Sequence, residues 1–404
     1  MRREVVITGV GLRTPMGHTL ADVEHCFRTA TPALSVLQAP AGHSRVFGRL
    51  TDDYGAGFSR LDRSLIDPVA QLAILAGESA VADSGLDLSG ADRDRIGVFV
   101  GTGQGTAHTM MDGASVLIAR DTVKTFTLAR ALANGVANQV SIRLGLRGEA
   151  QALTLACASS NTAIGNALRL IRSGELDAAL AGGAEATYTE HAYRGWEAMR
   201  TLAPVHPTDP LSSCRPFARD RSGLVLSEGA VLFMLEAESH ARARGARILA
   251  RLAGYGASSD ATHLLQPDAE GQALALGRGL RDAGLAPDDI QYLNAHGAAT
   301  PLGDKVEVQA IERAFGAHAS RLAVSSTKAL HGHMLGATGA VELLAPILAL
   351  QQGLIAPTAH LHEPDPELTL DFVPLKARLG PPLQAAASSN FAFGGSNACL
   401  VLTR

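Results

Sequence analysis

Three stretches of the chain hold residue types that could do chemistry together. The first is Leu153-Thr-Leu-Ala-Cys157-Ala-Ser-Ser-Asn-Thr-Ala-Ile-Gly165. The apolar run from Gln151 to Leu155 reads as a buried strand, and Thr162 to Arg172 reads as a helix. Cys157 therefore falls at a strand-to-helix turn. Unpaired N–H groups and the helix dipole at that place would stabilise a thiolate and lower its pKa. Ala156, Ala158, Ser159 and Ser160 are small enough to let a carbonyl approach the sulfur. A buried structural cysteine is the other reading of the same residues.

The second stretch is Asn294-Ala-His296-Gly-Ala-Ala-Thr300-Pro-Leu-Gly-Asp304. His296 directly follows a strand-like run, and strand ends in open α/β sheets are where ligands sit. Asp304 could serve the site or simply cap the next helix. The third stretch is Ser325-Ser-Thr-Lys328-Ala-Leu-His331-Gly-His333-Met-Leu-Gly-Ala-Thr-Gly-Ala-Val-Glu342. Lys328 and Glu342 could pair to orient a histidine, or form a surface salt bridge. His331 and His333 have no cysteine or carboxylate at ligand spacing, so no metal is expected.

The elements that must position these residues follow from pattern. Strands are expected at 4–10, 95–101, 178–183, 248–257, 290–295, 322–325, 385–390 and 398–402, with a strand pair or bulged strand over 224–235. Helices are expected at 20–30, 67–84, 128–144, 162–172, 271–283, 306–315 and 339–351, the last bent near Pro346. Residues 31–60 read as irregular. Gly101-Thr-Gly-Gln-Gly105 could cradle a phosphate, although its spacing is not that of a dinucleotide loop, and a tight turn beside the site is the alternative. Alternating strands and helices argue for α/β layers with mainly parallel sheets. The grammar restarts near residue 240, which suggests two halves, 1–240 with the cysteine and 241–404 with the two histidines.

Bulk properties narrow the class. The chain has 404 residues, 46% of them hydrophobic and 18% charged, enough for a large core. Net charge is −4 and the pI about 6.4, which gives no reason to expect nucleic acid. Met1-Arg-Arg runs straight into a strand, so no signal peptide is expected, and no apolar run is long enough to span a membrane. Four widely spaced cysteines, 26, 157, 214 and 399, fit a reducing cytoplasm. Lysine occurs only at 124, 305, 328 and 376.

Taken in order, these motifs resemble the β-ketoacyl-[acyl-carrier-protein] synthases of the elongating type. The likeness rests on A-C-A-S-S at Cys157, A-H-G-x-x-T-P-L-G-D at His296, S-x-x-K-x-x-x-G-H-x-x-G-A-x-G from Ser325 and the terminal Phe391-Ala-Phe-Gly-Gly-Ser-Asn397. It extends to Ile7-Thr-Gly-Val-Gly11, Ser213-Cys-Arg-Pro-Phe217, Glu228-Gly229 and Ser258-Ser-Asp260. The resemblance implies a thiolase-like fold of two similar halves in five α-β-α-β-α layers. It implies decarboxylative Claisen condensation of a Cys157-bound acyl group with malonyl-acyl-carrier protein. His296 and His333 would be neutral donors supported by Lys328 and Glu342, and Asp304 would help order the site. Backbone N–H groups of Cys157 and Phe393 would form the oxyanion hole, with Phe393 also the gate, and Thr300 would hold pantetheine. Gln104 and Trp196 would shape the acyl pocket. Arg60, Arg63, Lys124 and Arg200 would dock an acidic carrier protein. No cofactor is implied beyond the carrier's phosphopantetheine. The expected assembly is a homodimer, or a heterodimer with a chain-length-factor-like subunit.

Departures from the family pattern sharpen the expectation. Ala298 stands where the family has a threonine, which removes one pantetheine hydrogen bond, worth about 0.5–1.5 kcal/mol. Ala392 replaces a gate glycine. Gln104 and Trp196 suggest a pocket that is short, or shaped for an unsaturated or functionalised chain. A ketosynthase subunit of a type II polyketide or polyene pathway is therefore the alternative. A non-catalytic chain-length subunit would lack Cys157. A thiolase would need a second catalytic cysteine, and Cys399 lies outside such a motif.

Overall fold

The structure, a computed structural model, describes residues 2–38 and 44–404. Its centre is a ten-stranded sheet. In spatial order the strands are Ala323–Ser325, Tyr292–Asn294, Ala385–Phe391, Ser396–Thr403, Ala250–Ser259, Val5–Arg13, Gly229–Ala237, Ala178–Glu185, Ile96–Gly101 and Ala150–Leu153. The order is pseudo-symmetric about the contact of Val5–Arg13 with Ala250–Ser259. Moving outward on either side, the first two pairings are antiparallel and the next two parallel. The two halves meet edge to edge only at Val6 with Arg251 and Ile7 with Ala250.

Side-chain alternation along the strands builds the layers. On Gly229–Ala237, Val231, Phe233 and Leu235 enter a central core, while Leu232 and Met234 enter a second one. On Ser396–Thr403, Leu400 and Leu402 enter the central core, while Cys399 and Val401 enter a third. Both halves of the sheet are thus covered on both faces, so their strands are apolar throughout. Helices Pro68–Ser84 and Gly135–Leu144 cover the outer face of the first half. Helices Ala269–Ala283 and Pro301–Phe315 cover that of the second. Ser159–Ser173 and Leu344–Gln352 lie between the halves and supply the central core. The result is five layers, α-β-α-β-α.

Local chemistry explains the boundaries. Asp67 caps Val69 N–H at 3.0 Å, Pro68 occupies the first turn, and Gly85 closes the helix in the left-handed region. That helix lies against the first strand because Gly9 has no side chain; a Cβ there would stand 2.6 Å from Ser84 N. Pro346 cannot donate to the Glu342 carbonyl, so the expected helix over 339–351 is divided into Thr338–Glu342 and Leu344–Gln352. The expected helix over 128–144 is likewise two, Thr127–Ala131 and Gly135–Leu144, interrupted around Asn134-Gly135. Residues 31–60 include an antiparallel pair, Ser35–Gln38 with Ser44–Phe47. Helices Ala107–Arg120 and Glu190–Ala198 answer no sequence expectation. The first exposes Met110, Leu117 and Ile118, which blurs its amphipathic pattern. No helix among the described residues is long and apolar enough to cross a membrane.

Candidate active site

Cys157 sits where the strand Ala150–Leu153 turns into the helix Ser159–Ser173. The residue before it, Ala156, has φ +45°, the left-handed region that a residue with a side chain rarely occupies. Ser159 holds that conformation: its Oγ accepts from Leu155 N–H at 2.8 Å and donates to the Ala156 carbonyl at 2.6 Å. The turn packs directly on Gly101, where any Cβ would overlap the Ser159–Ser160 peptide. A strained, braced turn thus presents the sulfur at the floor of a channel to the surface.

His333 reaches the sulfur from the other half of the chain. Its backbone is pinned on both sides, by His333 N–H to the Val225 carbonyl at 2.7 Å and Ser227 N–H to the His333 carbonyl at 3.0 Å. Leu335 N–H donates to His333 Nδ1 at 2.9 Å. An Nδ1 that accepts leaves the hydrogen on Nε2, and His333 Nε2 stands 3.1 Å from Cys157 Sγ. His296 is fixed the same way by different groups. The Lys328 ammonium and the Asn390 amide each lie 3.3 Å from His296 Nδ1, so its hydrogen is also on Nε2. The two rings meet edge to face with centroids 5.5 Å apart. Burial, then the Lys328 charge, holds both imidazoles well below their ordinary range. They are neutral donors at any physiological pH. Cys157 Sγ and one nitrogen of each ring lie within 4.8 Å of one another. Metal-like as that spacing is, both Nε2 atoms present N–H groups rather than lone pairs.

Lys328 and Glu342 form a fully buried ion pair, not a surface one. The ammonium also bonds the His296 carbonyl. Glu342 accepts from Asn390 Nδ2 at 2.7 Å, and Asn390 Oδ1 accepts from Asn161 Nδ2 at 2.7 Å. Asn161 lies in the first turn of the helix that follows Cys157. One polar chain therefore runs from the helix that follows Cys157 through Asn390 and Glu342 to Lys328 and His296. Burial pushes the Glu342 carboxyl up, and the Lys328 charge opposes this.

Two buried carboxylates missed in the sequence brace the loops. Glu307 accepts from His296 N–H and Gly297 N–H, both at 2.6 Å. Glu185 accepts from Gly103 N–H at 2.6 Å, Gln104 N–H at 3.2 Å and Gly336 N–H at 2.9 Å. The loop's N–H groups are thereby spent within the protein, Gly103 and Gln104 on Glu185, Gly105 on Thr102 Oγ1 at 3.0 Å and Thr102 on the Leu153 carbonyl at 2.9 Å, which leaves them no phosphate to cradle. Burial pushes Glu185 up to about 7 and Glu307 up to about 8. Glu307 was legible in principle: it shares a helix face with Val308 and Ile311 in the third core.

The remaining expected residues are distributed unevenly. Asp304 accepts from Phe217 N–H at 2.8 Å and faces Arg221 at 3.8 Å, so it ties down the 217–221 turn while Glu307 holds the His296 backbone. Burial raises it to about 6. Thr300 lines the channel and caps the next helix, its Oγ1 accepting from Gly303 N–H at 3.2 Å. Trp196 lines the channel rather than a separate acyl pocket, stacked on Phe393 at 6.1 Å between centroids. Gln104 is half-buried beside Glu185 and does not line the channel. Of the four basic residues, only Arg200 lies at the channel wall. Lys124 is paired with Asp112 at 2.7 Å, and Arg60 and Arg63 are exposed on the short helix Arg60–Leu65.

The expected low thiol pKa is reversed. Burial pushes Cys157 up to about 12, against the opposing pull of Lys328. The loss of water around a residue only 7% exposed opposes what the helix end offers. At rest the sulfur is a thiol. Because only thiolate is alkylated, iodoacetamide labelling of Cys157 should speed up about tenfold per pH unit from pH 7 to 9. A rate that levels off below pH 8 would show a stabilised thiolate instead.

Comparison with known proteins places this geometry. Residues 2–241 match the family model "Beta-ketoacyl synthase, N-terminal domain", and residues 249–362 match "Beta-ketoacyl synthase, C-terminal domain". A relative in Rhizobium sp. (strain N33), "Nodulation protein E", is 39% identical over 411 residues, covering 99% of both chains. The "3-oxoacyl-[acyl-carrier-protein] synthase 2" of Synechocystis sp. (strain ATCC 27184 / PCC 6803 / Kazusa) is 35% identical, covering 100% of this chain and 98% of its own. Among solved structures, "The ishigamide ketosynthase/chain length factor" superposes with a TM-score of 0.92 at 30% identity, covering 100% of this chain and 99% of its own.

Proposed function

The chain belongs to the β-ketoacyl synthase family, and from that premise we propose how its residues carry out a decarboxylative condensation on carrier-bound substrates. The observation that carries this reading is the convergence of Cys157 Sγ with two Nε2–H groups held in that tautomer from behind. Cys157 Sγ attacks the thioester carbonyl of an acyl-carrier protein. The tetrahedral oxyanion is held by the backbone N–H groups of Cys157 and Phe393, and the carrier's pantetheine thiol leaves with the proton given up by the sulfur. The acyl group is then a thioester on Cys157.

Malonyl-carrier protein follows through the same channel, where Thr300 meets its pantetheine. The Nε2–H groups of His296 and His333 donate to the malonyl thioester oxygen. Negative charge develops there as the bond to the carboxylate breaks and CO₂ leaves, so the enolate is stabilised by neutral donors in a site shielded from water. The enolate carbon attacks the Cys157 thioester, a carbon–carbon bond forms, and the sulfur departs as a thiolate, which takes one proton from solvent to return to the resting thiol. The product is a 3-oxoacyl-carrier protein. Lys328 and Glu342 take no part in bond changes; they keep His296 in its donor tautomer. Arg200, at the channel wall, is the basic residue best placed to meet an acidic carrier. Phe393, stacked on Trp196, is the gate between the acyl and malonyl phases.

A second subunit of the same kind is the partner this surface fits. Ile118 is 87% and Leu128 80% exposed, on the adjoining helices Ala107–Arg120 and Thr127–Ala131. The strand Ala150–Leu153, in the same half of the chain, is an open edge of the sheet. A homodimer or a pairing with a chain-length-factor-like subunit would cover both.

The function is tested by incubating the protein with acyl-carrier proteins of different chains, then with malonyl-carrier protein, while following intact mass and CO₂ release. An acyl adduct followed by an extended product and one CO₂ per turnover is expected. Transfer without CO₂ release would sink the condensing mechanism. The likeness to a chain of "The ishigamide ketosynthase/chain length factor", together with Trp196 in the channel, favours a second reading, a specialised polyketide or polyene pathway. Fastest loading by unsaturated or functionalised chains would select it; fastest loading by saturated long chains would select fatty-acid elongation.

A further inference from the structure

Trp196 and Phe393 stack at the channel wall, and the group that holds the tryptophan there stands outside the channel. Trp196 belongs to the nine-residue helix Glu190–Ala198, in which Tyr193 is the one buried residue. A helix this short persists by packing against its neighbours, and one buried residue supplies little of that. Arg45 supplies the rest. Its side chain is only 2% exposed. The guanidinium bonds both oxygens of Glu190, at 2.7 and 3.1 Å, and both oxygens of Glu197, at 3.4 and 3.3 Å. It also lies over the Tyr193 ring, 4.1 Å from the centroid. Residues 190, 193 and 197 recur at the spacing of one helix face, so a single buried cation grips that face along its length. Arg194 pairs with Glu190 and Glu197 as well, at 2.8 and 3.7 Å, but it belongs to the same helix, and those pairs fasten the helix to no other element.

Arg45 is itself tied to the frame of the site. Its strand, Ser44–Phe47, runs into Gly48, whose N–H donates to the Leu226 carbonyl at 2.9 Å and whose carbonyl accepts from Glu228 N–H at 3.0 Å. Ser227 N–H, between these two, donates to the His333 carbonyl. The helix Glu190–Ala198 thus hangs, through one guanidinium, from the segment that also holds His333. Trp196 follows Tyr193 by one turn and packs with it and with Phe47 in one apolar cluster. Its ring planes with Phe393 are 23° apart.

We propose that Arg45 is a positioning residue: by fixing the helix Glu190–Ala198 it sets Trp196 against Phe393, and so holds the Phe393 backbone where its N–H meets the oxyanion during Cys157 acylation. The inference rests on the condensing reading above and adds to it a residue that does not line the channel.

Trp196 is the only tryptophan of the chain, so its emission reports the stack directly. The test measures acrylamide quenching of that emission beside the rate of Cys157 acylation by an acyl-pantetheine thioester. In Arg45→Met, Trp196 should be quenched about twofold more strongly than in wild type, and kcat for acylation should fall about tenfold or more, as misplacement of a reacting group does. KM should stay within about twofold, because the lost interaction is one made in the transition state. Arg45→Lys keeps the charge but has no planar fork to share between two carboxylates, and it carries the same expectations should the Met variant not fold. A wild type that is acylated, with folded variants whose Trp196 is quenched no more than wild type or whose kcat is unchanged, overturns the inference alone. A rise in KM at constant kcat overturns it too. A wild type that no acyl thioester loads overturns the condensing reading and this inference with it.

Discussion

Cys157→Ala is expected to abolish acyl-adduct formation and to lower condensation by at least about 10⁴-fold, as removal of a covalent nucleophile does. The same variant should keep malonyl-carrier decarboxylation within about tenfold of wild type. The two outcomes separate because the donors do not depend on the sulfur. His333 is oriented by Leu335 N–H and its own backbone bonds, and His296 by Lys328, Asn390 and Glu307. Removing Sγ leaves both Nε2–H groups in place. Intact mass after acyl-carrier incubation checks the first outcome and CO₂ release the second. An acyl adduct on the Ala variant would falsify Cys157 as the acceptor. Equal loss of both activities would mean that the sulfur helps to build the donor site.

Lys328→Met should be the most damaging change outside the reacting atoms. Lys328 and Glu342 are both fully buried, and removal of one partner leaves a carboxylate with its desolvation uncompensated. Such a loss costs about 3–5 kcal/mol of stability. It also takes away the ammonium that fixes the His296 tautomer, so decarboxylation should fall about 10²-fold or more. The double variant Lys328→Met with Glu342→Leu distinguishes the two effects. Stability should largely return once no unpaired charge remains, because a packed apolar pair is often as stable as a buried ion pair. Decarboxylation should stay low, since His296 has still lost its partner. Chemical denaturation and CO₂ release check this, and activity that recovers in parallel with stability would reduce Lys328 to a structural role.

Much of the site could be read in the chain because its three stretches carry chemistry at the ends of strands. The placement of Cys157 at a strand-to-helix turn, of His296 after Asn294 and of the Lys328–His333 loop needed only local pattern, while their roles came from the family resemblance. What escaped depends on burial, which local pattern does not report. The thiol of Cys157 rises because water is excluded by both halves of the chain, a property of packing and not of a helix end. Glu185, Glu307, Asn161 and Asn390 work through contacts far away in sequence; Glu185 reaches Gly336 across 151 residues. A hint was present in Ser388-Ser-Asn390, three polar residues inside a fully buried strand. The layered α/β class followed from strand and helix periods. Helix Ala107–Arg120 did not, because an apolar face left uncovered looks like no face at all.

The pseudo-symmetric sheet has a consequence for how the protein is made. The strand Ser396–Thr403 is not at an edge; it lies between Ala250–Ser259 and Ala385–Phe391. On the ribosome it emerges after every other strand of the sheet. Until it inserts, the second half lacks an inner strand, and the wall that carries Asn390 has no neighbour on one side. The cysteine and histidine that touch are 176 residues apart, and Asn161 and Asn390 are 229 apart. Closing such distances comes late and slowly in folding. The nascent chain thus carries an ordinary cysteine until this strand is made, and the surroundings of Cys157 are complete only when Ser396–Thr403 enters the sheet.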